Sequence, residues 1–530
     1  MSLALDPAAI RALAERFIRI PSVSPDVFAE TEFARALLAE IPVPLERGEW
    51  RVADGRPVVW ARVRGSVAPP GPRRAVLLLA HYDTVGVGEF ATLGLPAGER
   101  AGFDPPALRN LFLSYTSESL PPGSHELLED LAEEKRRPGT WMFGRGAADM
   151  KSALAVALAV MASLADDPAL AGDVLLVVCP DEEHASAGML AAVGELARLR
   201  EDEGLELAGA LNLDYACEPV AYAGVMGKAL AGIYVIGRPT HAGTPFEGVD
   251  AAQLAAAIVS RATASRGLVD QWEGITGVPP VALRLRDLKA GYNVQTAVEA
   301  EVELNLLTFA RPLAETLEAL RTEALAALED LARAMRELRA WVEPGHAAHG
   351  GEDLRSRVLL WPELVARAGE PGELFDSEGR LDPRAASLMR VRKLVRAARL
   401  AGPAVVIHLL PPFHPHAAPG DGPLVRAARS VLAGEGIEVR PFYPYITDAS
   451  YVAWRGEPPE ALATFMPSYG QEYRLPIQAM RALDLDVVNL GPWGRDAHGL
   501  FERVRADWAF WKLPGVLAEV MKGALAPPPR

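Results

Sequence analysis

Seven residues of this 530-residue chain combine types and positions that suit metal-assisted hydrolysis. His81, Asp149, Glu183, Asp214 and His498 supply two imidazoles and three carboxylates, a donor set for two divalent ions when one carboxylate bridges them. A two-ion site ionises a shared water and clamps both the nucleophile and the developing oxyanion. Asp83 and Glu182 stand beside two of the five. In His-x-Asp, the Asp83 carboxylate is expected to accept the ring N–H of His81 and fix its tautomer. Successive side chains on an extended segment point to opposite sides. Glu183 can therefore ligate while Glu182 meets the water as general base and hands the proton to a departing amine. Hydrolysis of an amide is the chemistry this set predicts.

Such residues act together only if the elements carrying them end in one place. The run DVLLVVC, 173–179, is continuously apolar, is broken by Pro180 and delivers Asp181, Glu182 and Glu183. It reads as a buried strand with carboxylates at its tip. AVLLLA, 75–80, ends at His81, and ALNL, 210–213, ends at Asp214. Open parallel sheets place their chemistry beyond the carboxyl ends of such strands. Asp149 follows the Gly-rich GRGAAD and precedes the helical pattern MKSALAVALAVMASLA. Alone it would be a helix N-cap, and Glu182 and Glu183 alone would complement the positive end of the helix from 185 onward. Three strand tips with ionisable residues favour a site.

Composition sets the class. Half of the residues are hydrophobic and 23% are charged, as in a globular protein. A net charge of −15 without a basic block argues against nucleic acid or an anionic membrane as partner. Only Cys179 and Cys217 occur, which excludes a disulfide framework and a thiolate zinc cluster. The N-terminal MSLALDPAAIRALAERF lacks a charged leader and apolar core, and no run is long enough to span a bilayer. A cytoplasmic setting is expected.

Along the chain, helices are expected at 8–20 and 29–40 and strands at 58–63 and 75–80, with helices and strands alternating from Asp149 to Asp214 as in a right-handed parallel sheet. The pattern changes at 227–243, with a strand and a turn holding His241. An Ala-rich helix follows at 249–265, then strands near 281–287 and 297–308 around Asn293, a helix over 313–339 and a strand over 404–416. Insertions are expected near 95–138 and 342–400, and APGDGP, 418–423, as a hinge back to the first style. His184, the His414/His416 pair and the loop residues His346 and His349 read as solvated or structural, and Cys179 as a buried small apolar residue.

Taken in order, HYDTV, GRGAADMKSA, PDEEHASAG, NLDYACEP, THAGTP and GPWGRDAHGLFE resemble the M20 metallopeptidases, a family of carboxypeptidases, aminoacylases and deacylases with a cocatalytic metal pair. The run from FDPPALRN to GTWMFGRGAADMKSA is also similar to arginine-utilisation proteins of the RocB kind. The resemblance implies an α/β fold: a mostly parallel sheet with helices on both faces forms a zinc-exopeptidase-like catalytic domain, and a smaller α+β lid and dimerisation domain is inserted in it. The corresponding boundaries are 1–222 with 417–530, and 223–416. It places His81 and Asp214 on one ion, Glu183 and His498 on the other, and Asp149 between them, with zinc first and cobalt or manganese as alternatives. It makes Glu182 the base, sends His241 to a neighbouring subunit's site, gives Asn293 a substrate contact, and implies a homodimer acting on an amino-acid derivative or short peptide.

One departure stands out. Where members that grip a substrate carboxylate carry an arginine after the lid strand, ELNLLTF, 303–309, offers Asn305 and Leu307. Lys151, Arg238 or Arg495 are the candidate substitutes. A non-catalytic metabolite-binding protein is the alternative, disfavoured because binding alone has no use for Glu182.

Overall fold

Short apolar strands alternate with helices, several of which begin at well-formed caps. Asp6 accepts from the Ala8 amide with Pro7 in the first turn, and Asp26 accepts from Phe28 and Ala29, so the first two helices, Pro7–Ile18 and Val27–Glu40, start where their side chains satisfy free amides. The computed structural model describes residues 5–67, 71–120, 123–344, 355–372, 374, 381–458 and 460–526. The chain divides into two units: Met1–Met226 with Ala417–Trp454 and Pro476–Arg530, and Gly227–His416 with Arg455–Leu475.

The first unit is built on an eight-stranded sheet in the order Glu46–Arg51, Pro57–Val63, Asp173–Cys179, Arg74–His81, Glu206–Asn212, Val487–Asn489, Ala221–Tyr222, Val439–Arg440. Its central strands, Asp173–Cys179, Arg74–His81, Glu206–Asn212 and Val487–Asn489, are parallel. Alternate residues serve opposite faces. Val76, Leu78, Ala80, Val174, Leu176 and Val178 join one core with the helices Pro7–Ile18, Lys151–Ala165, Pro423–Gly434 and Leu513–Leu525. The intervening Leu77, Leu79, Leu175 and Val177 are buried outside that core, as are Met189, Ala192, Val193 and Leu196 of the helix Ala187–Glu203. This is the expected α/β architecture, with a large, mostly parallel sheet and many helices. Lys151–Ala165 is buried from Lys151 through Met161, the mark of a helix enclosed on all sides.

The second unit has a five-stranded sheet in the order Val281–Asp287, Glu299–Thr308, Gly227–Ile236, Ala404–His414, Val358–Leu360. Helices Trp361–Ala368 and Pro383–Ala397 pack on Tyr234, Ile236, Ala404 and Val406. The region expected as an insertion at 342–400 therefore supplies, in its described part, an edge strand paired with Val405–Ile407 and two core helices. A second difference concerns 455–475, which the sequence groups with the first domain. These residues belong to the second unit: Ser387 donates to Ser468 at 2.8 Å, Arg390 meets both oxygens of Glu472, and Tyr473 accepts from the Phe413 amide. Hydrogen bonds to distant partners, rather than periodicity, decide where this stretch belongs. No helix among the described residues is long and apolar enough to cross a membrane.

Candidate metal centre

The central strands end at one level. His81 pairs with Cys179, Leu79 with Asn212, and Asn212 with Asn489, so the segments after them emerge side by side. Beyond Cys179 and Pro180 the chain turns sharply at Asp181, whose φ of 69° is left-handed, a conformation Asp tolerates better than most residues. The Asp181 carbonyl accepts from the amides of His184, Ala185 and Ser186. Its carboxylate accepts from Arg56 at 2.7 Å, Ser24 at 3.2 Å and the Ala187 amide at 3.1 Å. Asp181 thus holds the segment bearing Glu182 and Glu183 as a rigid tip.

Three of the expected ligands converge on the fourth, Asp149. One Asp149 oxygen lies 3.0 Å from His81 Nε2, and the other lies 3.1 Å from His498 Nε2. His498 Nε2 is also 3.0 Å from Glu183 Oε1. Ligand atoms of His81, Asp149 and Glu183 all lie within 4.8 Å of one another. The helix after Asp149 starts at Lys151 without a side-chain cap, so this carboxylate serves the histidines instead of capping. Asp214, 3% exposed, accepts from the Tyr215 amide, and its carbonyl accepts from Asn489 Nδ2 at 3.0 Å. The His498 side chain is 49% exposed against 3% for His81, so the cluster opens to solvent on the His498 side.

Electrostatics shows what these groups lack. Burial pushes Asp214 up to about 8, with the Asp149 charge adding to it, and burial also raises Glu183 and Glu182. Burial opposes charge on His498 as well, yet its hydrogen bonds to the Asp149 and Glu183 carboxylates carry it up to about 11. The same histidine contacts pull Asp149 below the usual carboxylate range against its own burial. Carboxylates crowded out of water repel one another, and a cation relieves both the repulsion and the desolvation. Two imidazole nitrogens facing opposite oxygens of one carboxylate, with further carboxylates alongside, fit divalent metal in type and arrangement.

Asp83 departs from expectation. His81 Nδ1 meets the Asp83 backbone carbonyl at 3.1 Å, while the carboxylate is 3.5 Å away and accepts from the Glu182 amide at 3.1 Å and the Glu183 amide at 3.0 Å. The two-residue spacing brings the carbonyl within reach of the ring, leaving the carboxylate to align the neighbouring strand tip. Two residues that the sequence does not single out are central. Glu502 accepts from the amides of Ala148 and Asp149 at 3.1 and 3.2 Å and from Arg145 at 2.6 Å. Arg145 also donates to the His498 carbonyl at 3.0 Å and pairs with Glu89. Both lie inside the motifs GRGAAD and GLFE, which was the available signal; their pairing spans 357 residues.

His241 and Asn293 lie in the second unit, exposed, on two loops that pair with each other: His241 bridges Gln295, and the Ala242 amide donates to the Val294 carbonyl. Two of the candidate substitutes for the missing arginine are otherwise engaged. Lys151 is buried and donates to the Ile20 carbonyl at 2.6 Å, and Arg495 holds both oxygens of Asp130. Arg238 is exposed in the second unit, with no side-chain hydrogen bond among the described residues. Cys179 is buried, with its thiol pushed up by burial, His184 sits 3.5 Å from Asp181, and His414 is buried on its strand. His346 and His349 lie outside the described residues.

Residues 120–480 match the family described as Peptidase family M20/M25/M40. The chain is 28% identical over 498 residues to the uncharacterized protein YqjN of Bacillus subtilis, covering 89% of this chain and 87% of that one. It is 28% identical over 474 residues to protein RocB of the same organism, covering 83% and 81%. A succinyl-diaminopimelate desuccinylase of Xanthomonas campestris is 27% identical over 283 residues, 52% of this chain and 71% of its own. The fold is similar to that of aminopeptidase PepT from Bacillus cereus, with a TM-score of 0.54 at 12% identity and coverage of 98% and 99%. It is also similar to the di-peptidase Dug1p from Saccharomyces cerevisiae, with a TM-score of 0.52 at 13% identity and 100% of both chains covered.

Proposed function

Because the chain belongs to the M20/M25/M40 peptidase family, a family of hydrolases, we propose that it is a dinuclear-metal hydrolase cleaving an amide or peptide bond of an amino-acid derivative. The observation carrying this is the Asp149 carboxylate, which presents one oxygen to each histidine. His81 and Asp214 would hold one ion and Glu183 and His498 the other, with Asp149 between and zinc the first candidate ahead of cobalt or manganese. Two such ions supply an acidified water and a positive field for the developing oxyanion.

The protein's own residues do the rest. Glu182 is held by its amide on Asp83, and burial raises its carboxyl, which suits it to take a proton and return it to the leaving amine. Asp83 keeps Glu182 and Glu183 aligned, and Asp181 braces the turn behind them. His241 and Asn293 are assigned to oxyanion and substrate contacts from the second unit, with His241 acting on a neighbouring subunit. Val281, Leu283 and Leu285, exposed on the edge strand Val281–Asp287, support a homodimer through that unit. The similarity to a desuccinylase supports an N-acyl amino acid as substrate. Arginine derivatives come first through the resemblance to arginine-utilisation proteins of the RocB kind, and the two-cysteine composition favours a cytoplasmic setting.

The test is elemental analysis of protein stripped with chelator and reloaded with zinc, cobalt or manganese, followed by assay on N-acyl amino acids and dipeptides. About two ions per chain with metal-dependent turnover is the expected outcome. A folded chain that retains no metal and turns over none of these compounds would overturn the proposal.

A further inference from the structure

The five candidate ligands come from two scaffolds. His81, Glu183 and Asp214 leave the parallel strands, whereas Asp149 and His498 leave a separate three-stranded sheet of Gly494–Arg495, Arg503–Arg505 and Trp141–Phe143. His498 itself sits at a φ of 65° in a tight loop, with Asp496 accepting from the Gly499 and Phe501 amides. Its half-exposed side chain leaves the loop backbone to decide where the ring points.

We propose that the segment from Gly88 to Arg136 is a positioning frame for the Asp149 and His498 half of the centre. The inference rests on the metal-centre assignment above and adds a role for residues that touch no ligand side chain. Asp130, buried on the helix His125–Arg136, accepts from Arg495 at 2.9 and 3.0 Å and from Arg503 at 2.6 and 2.8 Å, which ties together the two strands that flank the His498 loop. Glu133 holds Arg505 at 2.7 and 2.9 Å. Glu134 accepts from the amides of Gly139 and Trp141 at 2.8 and 2.9 Å, fixing the strand that leads to Asp149. At the other end of the segment, Glu89 pairs with Arg145, the residue that donates to the His498 carbonyl. Phe112 packs edge-on against Phe501 with ring centroids 5.0 Å apart, so the loop is also gripped beyond His498. The described part of the segment shares an apolar core, with Phe90, Leu108, Phe112 and Leu131 among its members, with Trp141 and Phe143 of the strand before Asp149, which makes it a stiff support. Carboxylates that hydrogen-bond a metal ligand directly change metal affinity by about 10–100-fold when removed, which sets the upper bound for groups one contact further out.

The experiment compares wild type with Asp130→Ala and Glu89→Gln, titrating chelator-stripped full-length protein with zinc in competition with a chromophoric chelator and recording the thermal midpoint of each. The expected result in Asp130→Ala is a loss of affinity at both ions, which share Asp149, that is larger by up to about 10-fold for the ion held by His498, with a smaller loss of the same kind in Glu89→Gln and little movement of the thermal midpoint. Equal affinities in all three proteins overturn the proposal. So does a parallel fall in both affinities and the thermal midpoint, which a merely structural role would give. If Asp130→Ala does not fold, Glu89→Gln decides, since the Glu89 side chain is partly exposed and its side-chain partner among the described residues is Arg145. A wild-type chain without two zinc sites removes the metal-centre assignment and this inference together, whereas two wild-type sites with unmoved variants remove this inference alone.

Discussion

Glu182 and Glu183 are chain neighbours with different partners: Glu183 meets His498, and Glu182 feels the charges of His81, Glu183 and Asp448. Glu182→Gln should keep the fold and the metal content while lowering kcat by about 10²–10⁴-fold, measured beside elemental analysis of the same preparation. Turnover equal to wild type would dismiss it as the base. Asp83→Asn should act differently, because an amide offers one acceptor where two backbone N–H groups need partners. A loss of about 1–3 kcal/mol in urea unfolding is expected, together with reduced turnover. The convergence of His81, Asp149, Glu183 and His498 was legible in the sequence because ionisable residues at several strand tips and motifs, taken together, outweigh the capping and helix-end roles each would have alone. The duty of Asp83 was not, because whether a carbonyl or a carboxylate faces the ring depends on the direction of a two-residue turn. Glu502 and Arg145 were not legible either, since a buried acid whose partners are backbone amides far away in sequence leaves no spacing to detect.

Elements carry the residue geometry. The helix Ala187–Glu203 begins hard against the strand tip: a Cβ on Gly188 would lie 2.4 Å from Pro180 Cδ and 2.5 Å from the Pro180 carbonyl oxygen. Gly188→Ala should therefore push the helix from the tip, costing about 1–3 kcal/mol in thermal or urea unfolding and lowering turnover through displaced glutamates. A variant as stable and active as wild type would show that the contact yields easily. Asp181 braces the same turn and makes the stability pH-dependent. Burial opposes its charge, but His184 and Arg56 hold it at about 2, below its ordinary value near 4. A depressed carboxylate pKa contributes stability that is complete above the unfolded value and is lost as pH falls through the folded one. Unfolding free energy should thus drop by about 2 kcal/mol between roughly pH 4 and pH 2, and Asp181→Asn should flatten that part of the profile. The strands and most helices were readable from apolar periodicity. The Gly88–Arg136 segment was not, since its short helices gain their order from a small core shared with Trp141 and Phe143, which no local pattern announces.

At the scale of the whole molecule, the second unit presents a free sheet edge with Val281, Leu283 and Leu285 exposed, an arrangement that pairs readily with a second copy. Sedimentation should report about twice the 56.8 kDa chain mass, and Leu283→Lys with Leu285→Lys should return it to a single chain with lower turnover. A double variant that still pairs would move the interface elsewhere. The return of Arg455–Leu475 to the second unit was hidden for the same reason as Glu502: its partners are remote. The order in which the first unit receives its parts has a consequence for biosynthesis. A ribosome delivers His81, Asp149, Glu183 and Asp214 within the first 226 residues, then makes most of the second unit, and only afterwards supplies the strand Val487–Asn489 that completes the central sheet, followed by His498. Until then the nascent chain carries an unfilled slot between Glu206–Asn212 and Ala221–Tyr222, and its maturation waits on the end of translation. A message truncated between codons 222 and 498 would yield a chain already committed to most of its sheet yet unable to mature, a substrate for proteolysis rather than a slower enzyme.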